Sequence, residues 1–328
     1  MITRRHIAGL SGAAAFGALP APSLAQAPGN SQAGRPIRFV VPFAAGGLTD
    51  IITRLVAQHM SDTLGQPIVV ENRPGGNAII GTEAVARAPK DGLTVLVGGT
   101  AGLPLNVMMR PSLPYKLEDF ASVALLFDGP LSLTVNAALP ATSIAEFVRH
   151  AKASPNPLRY ATNGKGSVSH LFGLLMEKAM EIRLTDVAYR GNGPSTADLL
   201  AGHIEISVEA PTTTIEHVRS GRLRLLGLSF PDRAPLLPEI PTFREAGYPD
   251  LVTGFWTALL VPAGTPAPMI ERLNAAAQRA MQDATIKARL EAEALRPIAA
   301  PPAALDAQMR RDRESWGALI RAQNLTLD

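Results

Sequence analysis

The chain has 328 residues, no cysteine, and 31 Lys plus Arg against 28 Asp plus Glu, a formal net charge of +3. The absence of cysteine excludes disulfides, thiol nucleophiles, iron–sulfur clusters and thiolate zinc sites. Charge this close to balance gives no concentrated basic patch, so neither nucleic acid nor an anionic membrane surface is an expected partner.

In chain order, Thr3-Arg4-Arg5 precedes an apolar, small-residue run from Ile7 to Leu19 and then Ser23-Leu-Ala-Gln-Ala27, the pattern of a secretory signal peptide over 1 to 27. Its apolar core is too short to span a bilayer, and no later segment holds about 18 uninterrupted apolar residues. The mature chain is therefore expected to be an exported, soluble protein. Arg4-Arg5 permits twin-arginine export, His6-Ile7 match that signal only in part, and ordinary secretion is an equal contender. Loss of Arg4 and Arg5 takes Lys plus Arg from 31 to 29 against 28 acids, and the net charge from +3 to +1. Anionic ligands then have to be held by local groups. About 300 mature residues exceed what one core usually serves, so two domains are expected.

From Arg35 onward strand-like and helical runs alternate: strand 37 to 41, helix 49 to 64, strand 68 to 71, helix 79 to 88, strand 94 to 98. Ile51, Ile52, Leu55, Val56, Met60 and Leu64 follow the helical period, while Val40 and Val41 lie in a continuous apolar run typical of a covered parallel strand. The rhythm predicts a mostly parallel sheet with helices on both faces over roughly 35 to 125. A second run of the same kind has strand 131 to 135, helix 143 to 153, strand 158 to 161, a glycine loop at 162 to 169 and helix 170 to 180. Strand 187 to 189, helix 194 to 201, and strands 204 to 208 and 225 to 229 extend it. A strand at 253 to 261 then leads into helices at 266 to 282, 284 to 294 and 302 to 322, with the Ala- and Pro-rich stretch 297 to 304 read as a linker. The last helix carries Leu305, Met309, Trp316, Leu319 and Ile320 on one stripe, expected to pack on the first domain. If these helices return to that domain, the chain crosses between domains near 126 to 132 and near 252 to 258. Two crossings make a hinge.

Gly46 and Gly47 stand between the first strand and a helix start with Thr49 or Asp50 as cap. Backbone N–H groups exposed there can receive a carboxylate, because a helix N-terminus carries unpaired donors and partial positive charge. A tight strand-to-helix turn with an ordinary cap accounts for the same residues. The loop Gly164-Lys-Gly-Ser-Val-Ser-His170 repeats the arrangement in the second domain.

Enzyme signatures are missing. That loop lacks the G-x-S-x-G form of a nucleophile elbow, and Ser169 and His170 are helix neighbours about 100° apart, so they do not make a dyad. It also misses G-x-x-x-x-G-K-[ST], and Gly191-Asn-Gly193 continues with Pro-Ser-Thr in place of G-x-G-x-x-G. His59, His150, His170, His203 and His217 are scattered singly, without metal-ligand spacing, so no catalytic residue, metal or cofactor is expected. His59 reads as a packing histidine, and His170 as a loop or cap residue. Glu205 is expected to face solvent. Glu209, at the C-terminal edge of strand 204 to 208, suits an acid/base group, a partner for a ligand's amino group or hydroxyl, or an ordinary surface glutamate.

Taken together, the motifs resemble the periplasmic receptors of the tripartite tricarboxylate transporter family, called Bug-type receptors, collinearly along the mature chain. The family's V-P-F-x-x-G-G-x-T-D stands as Val41-Pro-Phe-Ala-Ala-Gly-Gly-Leu-Thr-Asp50, its V-x-N-R-P-G as Val70-Glu-Asn-Arg-Pro-Gly75, and its P-D-G-Y-T as Pro89-Lys-Asp-Gly-Leu-Thr94. Its G-x-G-S/T-x-x-H-L-x-G is Gly164-Lys-Gly-Ser-Val-Ser-His-Leu-Phe-Gly173, and V-P-Y-K/R-G followed by D-L-L-x-G is Val187-Ala-Tyr-Arg-Gly191 with Asp198-Leu-Leu-Ala-Gly202. L-P-x-x-P-T-x-x-E-x-G is Leu237-Pro-Glu-Ile-Pro-Thr-Phe-Arg-Glu-Ala-Gly247.

The resemblance implies a two-lobed α/β fold of the type II periplasmic-binding-protein kind, each lobe a mixed, mostly parallel sheet flanked by helices. Lobe 1 would take 35 to 128 plus 255 to 328, and lobe 2 would take 129 to 254. It implies a receptor, not an enzyme, that closes on a small organic acid: a di- or tricarboxylate, an aromatic carboxylate or an acidic amino acid. Backbone amides of two loops would hold the carboxylate, and membrane permease subunits, or a sensor protein, would receive the loaded form. Carried over by position, the site is Ala45, Gly46, Gly47 and Thr49 in the first loop, Thr100 after the third strand, and Asn163, Gly164, Ser167, Val168 and Ser169 in the second. Glu209 stands where the family commonly has aspartate. Leu93 replaces a usual tyrosine and Ser169 a frequent proline. A hydrolase or lyase using Glu209 with Ser169 or His170, and a signalling receptor without transport, are the alternatives.

Overall fold

The run Ile37–Val41 forms strand β1, and its side chains divide between two apolar layers. Ile37, Phe39 and Val41 join one buried cluster and Val40 joins another. Helices cover both faces, which is why the strand reads as continuously apolar. The structure, a computed structural model, describes residues 34 to 327; the expected signal peptide over 1 to 27 lies outside the described residues.

After β1 come α1 (Leu48–Leu64), β2 (Ile68–Asn72), α2 (Ile79–Ala86) and β3 (Thr94–Gly99). A π-helical turn at Ala101–Leu105, holding Pro104, then opens into the single turn α3 (Asn106–Met109). Strand β4 (Phe120–Pro130) is separated from β5 (Ser132–Asn136) by Leu131 alone. The second lobe continues as α4 (Ile144–Ala153), β6 (Leu158–Thr162), α5 (Val168–Met180), β7 (Leu184–Ala188), α6 (Asn192–Ala201), β8 (Ile206–Ser207), α7 (Ile215–Arg219) and β9 (Leu223–Leu228). The chain returns through β10 (Gly254–Pro262), α8 (Ala267–Gln282), α9 (Ala284–Ala292), β11 (Arg296–Pro297) and α10 (Pro302–Ala322).

Two sheets result, in the orders β11-β4-β10-β3-β1-β2 and β7-β6-β8-β5-β9. The fold is two-lobed α/β, and both sheets are mixed. Between the named strands, parallel pairing is confined to β2-β1-β3 and β7-β6-β8. The other ladders are antiparallel, a larger share than the mostly parallel expectation. The cause is topological: β4 leaves the first sheet and β10 re-enters it beside β4, so these neighbours run in opposite directions.

That pairing puts both crossings side by side, with Gly254 opposite Pro130 and Phe255 opposite Gly129. A Cβ on Gly254 would overlap the Gly129 carbonyl oxygen, so the close approach of the crossing strands requires glycine.

Two expectations change. The stretch 297 to 304 is no linker, since Arg296 and Pro297 pair with Asp128 and Phe127 and α10 starts at Pro302. Helix α10 does not pack on the first lobe alone. Leu305 and Met309 join the cluster around β3, β4 and β10, whereas Trp316, Leu319 and Ile320 join the core under the second sheet with Leu171 and Phe172 of α5. A helix of 21 residues is about 30 Å long and outreaches the first lobe.

Candidate functional site

A cleft of about 440 Å3 is lined from both lobes and floored by β10 residues Phe255, Trp256 and Thr257. Its first wall is built by the turn before α1. The helix is capped by Gly47, not by Thr49 or Asp50, and Gly47 has extended backbone angles and no side-chain cap. Asp50 instead reaches back from the first turn, accepting from the Gly46 N–H at 2.9 Å, Asn72 Nδ2 at 3.0 Å and Arg54 Nε at 3.1 Å. Burial pushes the Asp50 carboxyl up, but the hydrogen bonds from Arg54, Gly46 and Asn72 outweigh it and hold it below the usual value. Asn72 Nδ2 also donates to the Phe43 carbonyl at 3.1 Å, which pins the strand end to the loop.

With φ at +81°, Gly46 turns its N–H toward Asp50, and Ala45, Gly46 and Gly47 are exposed and do not line the cleft. Thr49 does line it, beside Phe43 and Leu48.

Thr100 lines the cleft as expected. Its Oγ1 accepts from the Trp256 N–H at 3.0 Å, tying the end of β3 to β10, while Trp256 Nε1 donates to buried Asp312 at 2.6 Å.

The second wall is the N-terminus of α5. Ser167 caps the helix, its Oγ accepting from the His170 N–H at 3.2 Å. The remaining first-turn N–H groups, those of Val168 and Ser169, have no acceptor within the helix, as at any helix start. Both residues line the cleft with Asn163 and Ser167, but Gly164 does not: its N–H donates to Thr162 Oγ1 at 3.2 Å, folding the loop back on β6. His170 Nδ1 accepts from the Gly166 N–H at 3.3 Å, and burial holds the imidazole below its usual pKa, so this neutral ring orients the loop. Ser169 Oγ meanwhile accepts from the Asn163 N–H at 3.2 Å, so Ser169 and His170 serve different partners and form no dyad.

Glu209 faces this wall. Its Oε1 accepts from Asn163 Nδ2 at 3.0 Å, and its carbonyl accepts from Ser132 N at 3.0 Å and Ser132 Oγ at 2.7 Å. Burial pushes the Glu209 carboxyl up to about 7, even though hydrogen bonds from Ser169 and Asn163 act in the opposite direction. Glu205 differs: its carboxylate grips Arg159 at 2.5 Å and 3.2 Å instead of facing solvent freely, and those contacts overcome its desolvation to lower its pKa.

Other residues at the cleft carried no sequence signal. Asn77 and Ala78, in the loop before α2, have φ of 52° and 74°, a left-handed pair without glycine. Buried Asn106 holds it, donating to the Asn77 carbonyl at 2.8 Å and accepting from Asn77 Nδ2 at 3.2 Å. Strained backbone of this kind persists where the surroundings fix it and concentrates at ligand sites. Asn192, at the start of α6, and Phe255 also line it. A second recess of about 680 Å3 opens on the other side of β10, where Arg296 grips Asp128 at 2.5 Å and 3.0 Å and lies 5.2 Å from the Phe230 ring centre. None of the expected site residues lies there.

Among the described residues no cluster of His, Asp or Glu has the makings of a metal site, and no helix is long and apolar enough to cross a membrane. Comparison with known proteins adds identity to this geometry. Residues 52 to 325 match the model of the tripartite tricarboxylate transporter family receptor. The BugT protein of Bordetella pertussis is 35% identical over 289 residues, covering 88% of this chain and 89% of that protein. Among solved structures, the MatC protein of Rhodopseudomonas palustris with bound malate superposes with a TM-score of 0.76 at 32% identity, covering 87% of this chain and 98% of that one. A second R. palustris protein, with adipate, gives 0.79 at 27% identity, covering 89% and 98%. With a matched model spanning most of the chain and a two-lobed cleft of the same architecture, this protein belongs to the family of tripartite tricarboxylate transporter receptors.

Proposed function

We propose that this protein is an extracytoplasmic solute receptor that holds a small carboxylated molecule between its lobes and delivers it to membrane permease subunits. The observation that carries this reading is the first turn of α5 at the wall of the cleft, where Val168 and Ser169 offer N–H groups that the helix itself leaves unpaired. A carboxylate suits such donors, and the malate and adipate of the two related structures are molecules of that chemistry. Thr49, Thr100, Asn163, Ser167, Val168, Ser169 and Glu209 are the proposed ligand-side residues. Ala45, Gly46, Gly47 and Gly164 shape the two loops without facing the ligand. Ser169 and His170 engage different partners and make no Ser–His pair, and the group that Ser169 hydrogen-bonds in the cleft is Glu209.

Thermal-shift and calorimetric titration of ligand-free protein with a panel of mono-, di- and tricarboxylates tests the proposal. A ligand that binds only the folded state raises Tm by mass action, about 2.7 kcal/mol of stabilisation at a hundredfold excess over Kd. No shift with any acid defeats it, and conversion of a bound acid to product would replace it with an enzymatic reading.

A further inference from the structure

We infer that the ligand of this cleft is a carboxylate that also carries a protonated amine, and that Glu209 is the residue that selects the amine. The inference rests on the receptor reading above and narrows it to one class of acid. Among the described residues that line the cleft, Glu209 is the sole ionisable side chain; no Lys, Arg or His joins it. The neutral donors of the α5 turn can hold one carboxylate. A second carboxylate on the same ligand would enter a partly dehydrated space whose fixed charge is also negative, and like charges there repel strongly.

An ammonium group reverses that balance. Ionised Glu209 is acceptor-only, and the Asn163 amide on Oε1 leaves lone pairs free for a further donor. Among the described residues that line the cleft no charged side chain faces it, and burial, opposed by hydrogen bonds from Ser169 and Asn163, raises its carboxyl to about 7. The carboxyl group is thus held in the cleft without a cation of its own. A ligand amine supplies the missing charge, while the ligand's carboxylate takes the α5 donors. Phe43, Leu48, Leu131 and Phe255 line the same cleft and fit a hydrocarbon frame between the two ends.

The test is calorimetry at pH 8, where Glu209 is ionised, with probes matched in length. 5-Aminopentanoate, adipate and hexanoate share a chain and differ at the far end, and leucine is matched with 4-methylpentanoate to sample an α-amine. At least one amine probe should bind tenfold or more tighter than its amine-free partners, adipate included. Glu209→Gln should cut that preference below threefold, Glu209→Asp should retain it, and Glu205→Gln, whose carboxylate is committed to Arg159 outside the cleft, should leave it unchanged. A melting curve for Glu209→Gln confirms that the variant is folded. Adipate binding as tightly as the amine probes, or an amine preference that survives Glu209→Gln, overturns the inference while leaving the carboxylate receptor intact. Absence of binding by all five acids overturns this inference, and the receptor reading falls with it only when the wider panel of mono-, di- and tricarboxylates also fails to bind.

Discussion

Replacing Glu209 with glutamine should stabilise the ligand-free protein at neutral and alkaline pH. The carboxyl has an ordinary value of 4.5 and is pushed up to about 7 in the folded chain. The sign follows from linkage: a folded-state pKa above the unfolded one means that the folded protein binds the proton more tightly. Stability is therefore highest, as far as this group is concerned, below 4.5, and falls as pH rises to about 7. A difference of that size corresponds to ~3 kcal/mol once both states are ionised. The residue is only partly shielded in an open cleft, so solvent screening reduces the expected gain to on the order of 1–2 kcal/mol. Other carboxylates titrate in the same range, and the difference between wild type and variant isolates Glu209. Urea unfolding at intervals from pH 4 to 8.5 should give coincident midpoints at the acid end and a Glu209→Gln advantage that grows to a plateau above pH 7. A constant difference at all pH values, or a variant less stable at pH 8, would refute the claim that the carboxyl is held in the cleft at a cost.

Three further substitutions probe the scaffold. Gly254→Ala drives a methyl group into the Gly129 carbonyl where the two crossing strands meet and should lower stability by about 2 kcal/mol or more, read as a fall in Tm. Asp50→Ala frees the Gly46 N–H, Asn72 and Arg54 at once and should cost about 1–3 kcal/mol in denaturant unfolding at pH 7. Because the Asp50 carboxyl lies below its ordinary 3.8 in the folded protein, that penalty should shrink as pH falls below about 4. Gly47→Ala, by contrast, meets nothing nearer than the Ala44 carbonyl oxygen at 3.6 Å and sits at φ −77°, so only its poorer helix capping counts: stability should fall by about 1 kcal/mol or less and ligand affinity should stay within about 0.5 kcal/mol of wild type.

The parts of this fold that local chemistry determines were legible in the sequence. β1 lies between two helical layers, so its apolar run needed no partner to be recognised, and the Gly-Ser turn before α5 marks a helix start by its own capping chemistry. What depended on distant partners was not legible. The first glycine loop looked like an open row of N–H donors, and only Asn72, 22 residues beyond Asp50, completes the network that draws the Gly46 N–H inward. Strand β4 mixes Ala, Ser, Asp and Gly with its apolar residues and is held as a strand by β10, more than a hundred residues later. Glu209 belongs to the same kind. As a residue at a strand end it was indistinguishable from a surface acid, because its burial arises where the α5 loop, the end of β8 and the crossing into β5 converge. Ser132, the first residue of β5, holds the Glu209 carbonyl with both its N–H and its hydroxyl, while Asn163 holds the carboxyl from the loop before α5. A ligand that engages this carboxyl therefore pulls on a residue whose backbone is fastened one position beyond Leu131, the link between the lobes. The group proposed to read the ligand is thus anchored beside the single residue that separates β4 of the first sheet from β5 of the second.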